Sequence, residues 1–153
     1  MSDIFGTQSF PKFDSLHAHC AMTMTFPVSS CLDAFNAMKD AVETWTPEPG
    51  TAGGSYALWN SEEELNIWAT RTTPVKKYVD DIYFEYTNST GDFNTKGCTV
   101  AAKSRSQSLS YYDYSTNFCN MWNVFQVVKD TGSMAVSDCK FPADDPKTVC
   151  AKY

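Results

Sequence analysis

The sequence predicts an α+β domain: a single twisted antiparallel sheet of about five strands, with two main helices packed on one face. Three observations predict it. Several short segments alternate apolar and polar residues with turn residues between them, two longer segments repeat apolar residues at helical spacing, and the elements run in the order β-α-β-β-β-β-α. Strands joined by short turns pair antiparallel, and each apolar helix stripe needs an apolar sheet face to cover it.

Residues 1–18 carry Gly6, Pro11 and polar residues without periodicity and read as an arm. Cys20, Met22, Met24 and Phe26 share one face of a strand whose other face carries Ala21, Thr23 and Thr25, and Pro27 is expected to stop it. Ser30 is an N-cap with Asp33 at the capping-box position, and Leu32, Phe35, Met38, Val42 and Trp45 follow at helical spacing. Pro47, Pro49, Gly50, Gly53 and Gly54 then open a loop. Strands are predicted over 55–59, 65–71, 78–87 and 98–106, separated by the acidic turn 61–64, by Thr72, Thr73 and Pro74, and by the turn 88–97. Phe118, Met121, Trp122, Phe125 and Val128 mark a second amphipathic helix that starts near Asp113 or Ser115. From Gly132 onward, Pro142, Pro146 and two cysteines read as an irregular extension. The chain thus divides into an arm (1–18), an α+β domain (19–130) and a disulfide-clipped C-terminal extension (131–153).

At 153 residues the chain can bury roughly two-thirds of the surface that its unfolded form exposes. No apolar run approaches the roughly 20 residues that a membrane-spanning helix needs. The net charge of −6 and the scattered basic residues argue against a nucleic-acid partner, because phosphate backbones are held by clustered Lys and Arg.

Cysteines at 20, 31, 98, 119, 139 and 150 are even in number and include no C-x-x-C pair, so they read as three disulfides rather than as a zinc or redox motif. Six cysteines allow many connectivities. Cys139 with Cys150 is expected because they bracket a proline-containing loop, and Cys98 with Cys119 would leave Cys20 with Cys31. Disulfides imply an oxidising compartment, secreted or lumenal, and Asn88-Ser89-Thr90 is a glycosylation sequon that fits it. Residues 1–10 are polar and do not read as a secretory leader, so either a leader is removed and an initiator Met added, or the oxidising inference fails. The plain alternative is a reduced chain with six small buried thiols.

The most unusual stretch runs from Lys103 to Asn117, dense in hydroxyls between a strand and a helix. Such hydroxyls can simply satisfy backbone groups at a strand end and a helix start. The sharper reading is a polar pocket in which Arg105 is an anion fork flanked by Ser106, Ser108, Ser110, Asp113 and Asn117. Alternation places Arg105 with Thr99, Ala101 and Lys103, and groups Asp81 with Tyr83 and Glu85, so Arg105 can meet Asp81 or Asp80 if the strands are neighbours. An internal ion pair would consume the charge that an anion site needs.

The pairing of Tyr78-Val79-Asp80-Asp81-Ile82 with Ser104-Arg105-Ser106, Ser110, Asp113 and Asn117 resembles the family called domain of unknown function fourteen-ninety-nine. Its pattern is a strand bearing two aspartates, then R-S-x-S-R and S-D-x-G-x-N. The likeness covers residues 28–128, with its specific part at 71–85 and 103–118. This chain has Ser115 where the family has glycine, and Cys119 and Asn120 where basic residues follow the asparagine. The family is uncharacterised, so the resemblance implies the extent of the fold and the unusual segment and no activity.

Other constellations are weaker. His17, His19 and Cys20 could begin a metal site, but neighbours in an extended chain point apart and no fourth ligand is evident. A hydrolase could use His17 or His19 with Ser106 or Ser110 and Asp113, yet the G-x-S-x-G elbow is missing. Asp80 and Asp81 point to opposite faces, unlike a glycosidase pair, and no glycine-rich loop leads into a phosphate-binding helix. The aromatic load, with Trp45, Trp59, Trp68 and Trp122, exceeds what a core of this size needs. The expected function is a secreted or lumenal binding module for a small apolar or amphipathic ligand, with no cofactor. The alternatives are a structural or interaction protein with no ligand and a hydrolase using the serine-rich segment.

Overall fold

The computed structural model describes residues 10–45, 54–62, 66–74, 76–110 and 113–153. Gly6, the loop residues Pro47, Pro49, Gly50 and Gly53, the turn residues Glu63 and Glu64, and Leu65, Tyr111 and Tyr112 lie outside the described residues.

Strand β1 (His19–Ser30) leads into helix α1 (Cys31–Thr44), and strands β2 (Ser55–Glu62), β3 (Asn66–Thr72), β4 (Val79–Thr87) and β5 (Lys96–Ser106) follow as a meander. Helix α2 (Thr116–Phe125), strand β6 (Ser133–Val136) and a short helix α3 (Pro146–Val149) complete the chain, which ends in a 3-10 turn over Cys150–Lys152. The strands form one antiparallel sheet in the order β2-β3-β4-β5-β1-β6. The α+β class and the single antiparallel sheet are as the sequence predicts, with six described strands in place of about five.

Period-two alternation works as expected in β1: Cys20, Met22, Met24 and Phe26 are buried beneath the helices. Pro27 does not stop the strand. It lies where the β1–β5 register shifts between Phe26 and Ser30, an irregularity in which a residue without an N–H costs no ladder bond. The Ser30 hydroxyl accepts from the Asp33 N–H at 3.1 Å and starts α1, which buries Ala34, Phe35, Met38, Ala41 and Val42. Phe118, Met121, Val124 and Phe125 of α2 join the same core, with the Phe125 ring 5.4 Å from Phe84 and 6.0 Å from Phe26.

The opposite face of the sheet carries the arm. Phe10 packs on Trp68 and Tyr83 with ring centres 5.5 and 5.9 Å apart, Lys103 Nζ lies 4.9 Å over the Phe10 ring, and Phe13 stacks on His19 at 4.2 Å. Among the described residues, no helix is long and apolar enough to cross a membrane.

The tail departs from the irregular extension that the sequence suggests, because Ser133–Val136 pairs with Met22–Thr25 as β6. All four residues of β6 are exposed, so no burial alternation marks the strand. All six cysteines are bonded, but as Cys20–Cys139, Cys31–Cys98 and Cys119–Cys150. The expected pairs Cys20–Cys31, Cys98–Cys119 and Cys139–Cys150 are therefore corrected. Cys20 and Cys31 stand at opposite ends of β1, roughly 35 Å of extended chain apart, far beyond the reach of a disulfide. Spatial neighbours are set instead by pairing: Phe26 lies opposite Cys98, which brings Cys31 to it, and Ala21 exchanges backbone hydrogen bonds with Ser137 and Asp138, which brings Cys139 to Cys20.

Non-reducing peptide mapping is expected to recover these three pairs. Replacing Cys20 and Cys139 by alanine, which opens a loop of separation 119, is expected to cost roughly 2–5 kcal/mol in urea denaturation.

Candidate functional site

Neighbouring residues on β4 and β5 point to opposite sides of the sheet, and the register decides who meets whom. Asp80 lies opposite Ser106 on one side and Arg71 on the other, and all three face the helices. Asp81 lies opposite Arg105 and Thr70 on the outer face.

Beneath α2 this arrangement builds a buried polar chain. Asn120 Nδ2 donates to Asp80 Oδ2 at 2.8 Å and to Ser104 Oγ at 3.1 Å. Ser104 Oγ donates to Asn117 Oδ1 at 2.7 Å, and Asn117 Nδ2 donates to Ser106 Oγ at 3.1 Å and to Asp113 Oδ2 at 2.9 Å. Asp113 also accepts from the backbone N–H groups of Ser115 and Asn117, at 3.1 and 3.0 Å, so it caps the amides that precede and open the helix. Thr116 Oγ1 donates to the Asp113 carbonyl. The turn into α2 is tight: Tyr114 and Ser115 have φ of 52° and 68°, a left-handed backbone that side chains with a Cβ rarely adopt.

Burial raises the Asp80 carboxyl above the usual aspartate range, while Asn120, Ser106 and the charge of Arg71 pull it back down. Arg71 is 1% exposed, and its Nε and Nη1 are buried without a hydrogen-bond partner among the described residues. The Tyr153 ring covers its guanidinium carbon at 5.3 Å. Gly54 closes the other approach: a Cβ there would sit 2.5 Å from Arg71 Nε, so only glycine lets the chain pass.

A pocket of about 370 Å³ opens onto the outer end of this chain. Asp80, Ser106 and Asp113 form its polar floor, Thr73, Ser108, Ser110 and Thr116 add hydroxyls, and Tyr78, Val79, Leu109 and Tyr114 form an apolar wall with Lys76 beside them. Of the residues singled out from the sequence, Ser106, Ser108, Ser110 and Asp113 therefore meet at one cavity, and Asn117 lies fully buried behind it.

Arg105 and Asp81 do not join them. Arg105 Nη2 reaches across the outer face to Asp14 Oδ2 at 3.2 Å, and Asp14 also holds His17 Nδ1 at 2.8 Å. Asp81 accepts from Trp68 Nε1 at 3.1 Å and from Gln107 Nε2 at 3.3 Å on each oxygen. His19 Nε2 lies 3.3 Å from Asp138 Oδ1, and Cys20 is held in its disulfide. Asn88 is 7% exposed, with its Nδ2 donating to the carbonyls of Thr95 and Gly97, so a glycan on that nitrogen would replace one of these donors. Asp80, Ser104 and Asn120 belong to this polar chain although the sequence does not place them in the predicted pocket. The signal for them was present in the period of two that links 104 with 106 and in the spacing of three that links 117 with 120.

Because Ser115 makes no side-chain cap bond, Ser115→Gly should remove only strain and raise stability by about 1 kcal/mol in thermal or urea unfolding. Asp80 holds its proton in the folded chain over a pH range where the unfolded chain, titrating at about 3.9, has lost it. Its contribution is therefore complete below about pH 4 and is lost as pH rises through the raised value. Stability measured from pH 4 to 8 should fall less steeply in Asp80→Asn than in the unaltered chain.

No family model matches the chain, and no curated protein matches it. Among solved structures, that of the Mll3558 protein from Rhizobium loti is similar to it at a TM-score of 0.46 and 10% sequence identity, over 74% of this chain and 95% of that one.

Proposed function

We propose that the protein is a binding module of a secreted or lumenal compartment, and that its ligand is a small amphipathic molecule seated between the start of α2 and the ends of β4 and β5. The observation that carries this reading is the Asp80 carboxyl, 4% exposed and hydrogen-bonded from behind, at the floor of an otherwise open cavity. An apolar side chain of similar volume would pack there without a desolvation cost, so stability alone does not account for an ionisable group in that place. Asp80 and Ser106 suit a hydroxyl or amide head group, and Leu109, Tyr78 and Tyr114 suit an apolar body. The three disulfides support the oxidising compartment.

The resemblance to domain of unknown function fourteen-ninety-nine belongs to the same proposal. It is supported at Ser115, where the family has glycine, by a φ of 68° that glycine adopts without strain. A hydrolase reading is favoured by one observation, that Ser106 and Asp80 lie opposite one another on neighbouring strands and line the same pocket. It requires ester or amide turnover that Ser106→Ala abolishes.

Native mass spectrometry of the protein purified without denaturant is expected to show a retained small molecule. Ser108→Trp, which fills the cavity from an exposed position, is expected to release it while leaving the circular dichroism unchanged. Equal retention by both proteins, or no bound mass in either after incubation with a panel of amphipathic alcohols and amides, would count against the proposal.

A further inference from the structure

On the outer face, whose groove shares Val79 with that pocket, the β2–β3 register slips by one residue. Leu58 lies opposite Ala69 and Asn60 opposite Trp68, so Trp59 is the extra residue of a bulge on an edge strand. A bulge re-aims its side chain, and here Trp59 shares the outer face with Trp68, ring centres 6.4 Å apart and tilted by 55°. The Trp59 indole is 56% exposed, at an edge where a protein gains by showing charge and loses by showing a large ring.

The two indoles head a groove of about 540 Å³ that continues past Thr70 and Thr72 to Asp81 and Gln107. Its polar end is built and held. Trp68 Nε1 fixes one carboxylate oxygen of Asp81, and a single Gln107 amide is shared between both oxygens at 3.3 Å. A carboxylate offers about four lone-pair positions, so Asp81 retains acceptor capacity toward the groove. A flat aromatic face, a fixed acceptor and two hydroxyls along one strand match a molecule with an apolar ring face and hydroxyls around its rim. The C–H groups on the face of a pyranose carry slight positive charge that the negative face of an indole attracts. The chain's net charge of −6 and the Asp81 carboxylate disfavour an anionic sugar.

From this geometry we infer a second binding site, for a neutral pyranose with equatorial hydroxyls, in which Trp59 stacks on the sugar ring and Asp81 accepts from its hydroxyls. The site stands independently of the pocket beneath α2.

Cellohexaose, laminarihexaose and chitohexaose are the probes, titrated into the 15N-labelled full chain. The indole N–H signals of Trp59 and Trp68 should move with at least one of them while those of Trp45 and Trp122, on the helix side, stay in place. Trp59→Ala should weaken that binding by about tenfold or more, Trp59→Phe should retain part of it, and Asp81→Asn should weaken it severalfold with the amide spectrum otherwise preserved. Silence of both indole signals with all three oligosaccharides overturns the inference. So does binding that Trp59→Ala leaves unchanged, or shifts confined to Trp45 and Trp122.

Discussion

Burial of the Asp80 carboxyl is the constraint on which the site and much of the helix packing depend. A carboxyl removed from water must keep hydrogen-bond partners, and these come from α2 and β5: Asn120 directly, then Ser104, Asn117, Ser106 and Asp113 in turn. Each bond contributes only about 1 kcal/mol net, but each buried group left without its partner costs about 1–3 kcal/mol. The chain therefore acts less as glue than as a register lock. A rotation of α2 by one residue would replace Asn117 and Asn120 with apolar neighbours and strand several polar groups together.

The same lock shapes the pocket. Asp113 is drawn inward by Asn117 and by the amides around the helix start, which bends the chain through the left-handed Tyr114 and Ser115 and holds the serine-rich segment open beside Asp80. Strain in that turn is offset by the capping bonds it permits. On the far side of Asp80, Arg71 is packed between Gly54 and the Tyr153 ring, so the residue before β2 and the last residue of the chain meet at one buried guanidinium, whose charge acts on Asp80.

The two faces of the sheet have separate chemistry because a strand cannot show one residue to both sides. Ser106 and Asp80 turn to the helices; Arg105 and Asp81, one position away, turn to the arm and the aromatic groove. The helix face is sealed by a continuous apolar core, whereas the outer face relies on Phe10, Phe13 and the Asp14 ion pairs. On the helix side, disulfides tie the segment after β6 to β1 and the C-terminal turn to α2.

Local chemistry was legible in the sequence alone. The alternation of Cys20 to Phe26, the Ser30 cap on α1, the meander of four strands and the oxidised state of the cysteines follow from periods and residue types that act over a few positions. What depends on distant segments was decided only in three dimensions. The cysteine partners, the exposed strand β6, the passage of β1 through Pro27, the bulge that aims Trp59 outward and the split of Arg105 from Ser106's pocket all depend on strand order and register. Those are fixed by which surfaces close over one core, a collective choice that no short window of residues contains.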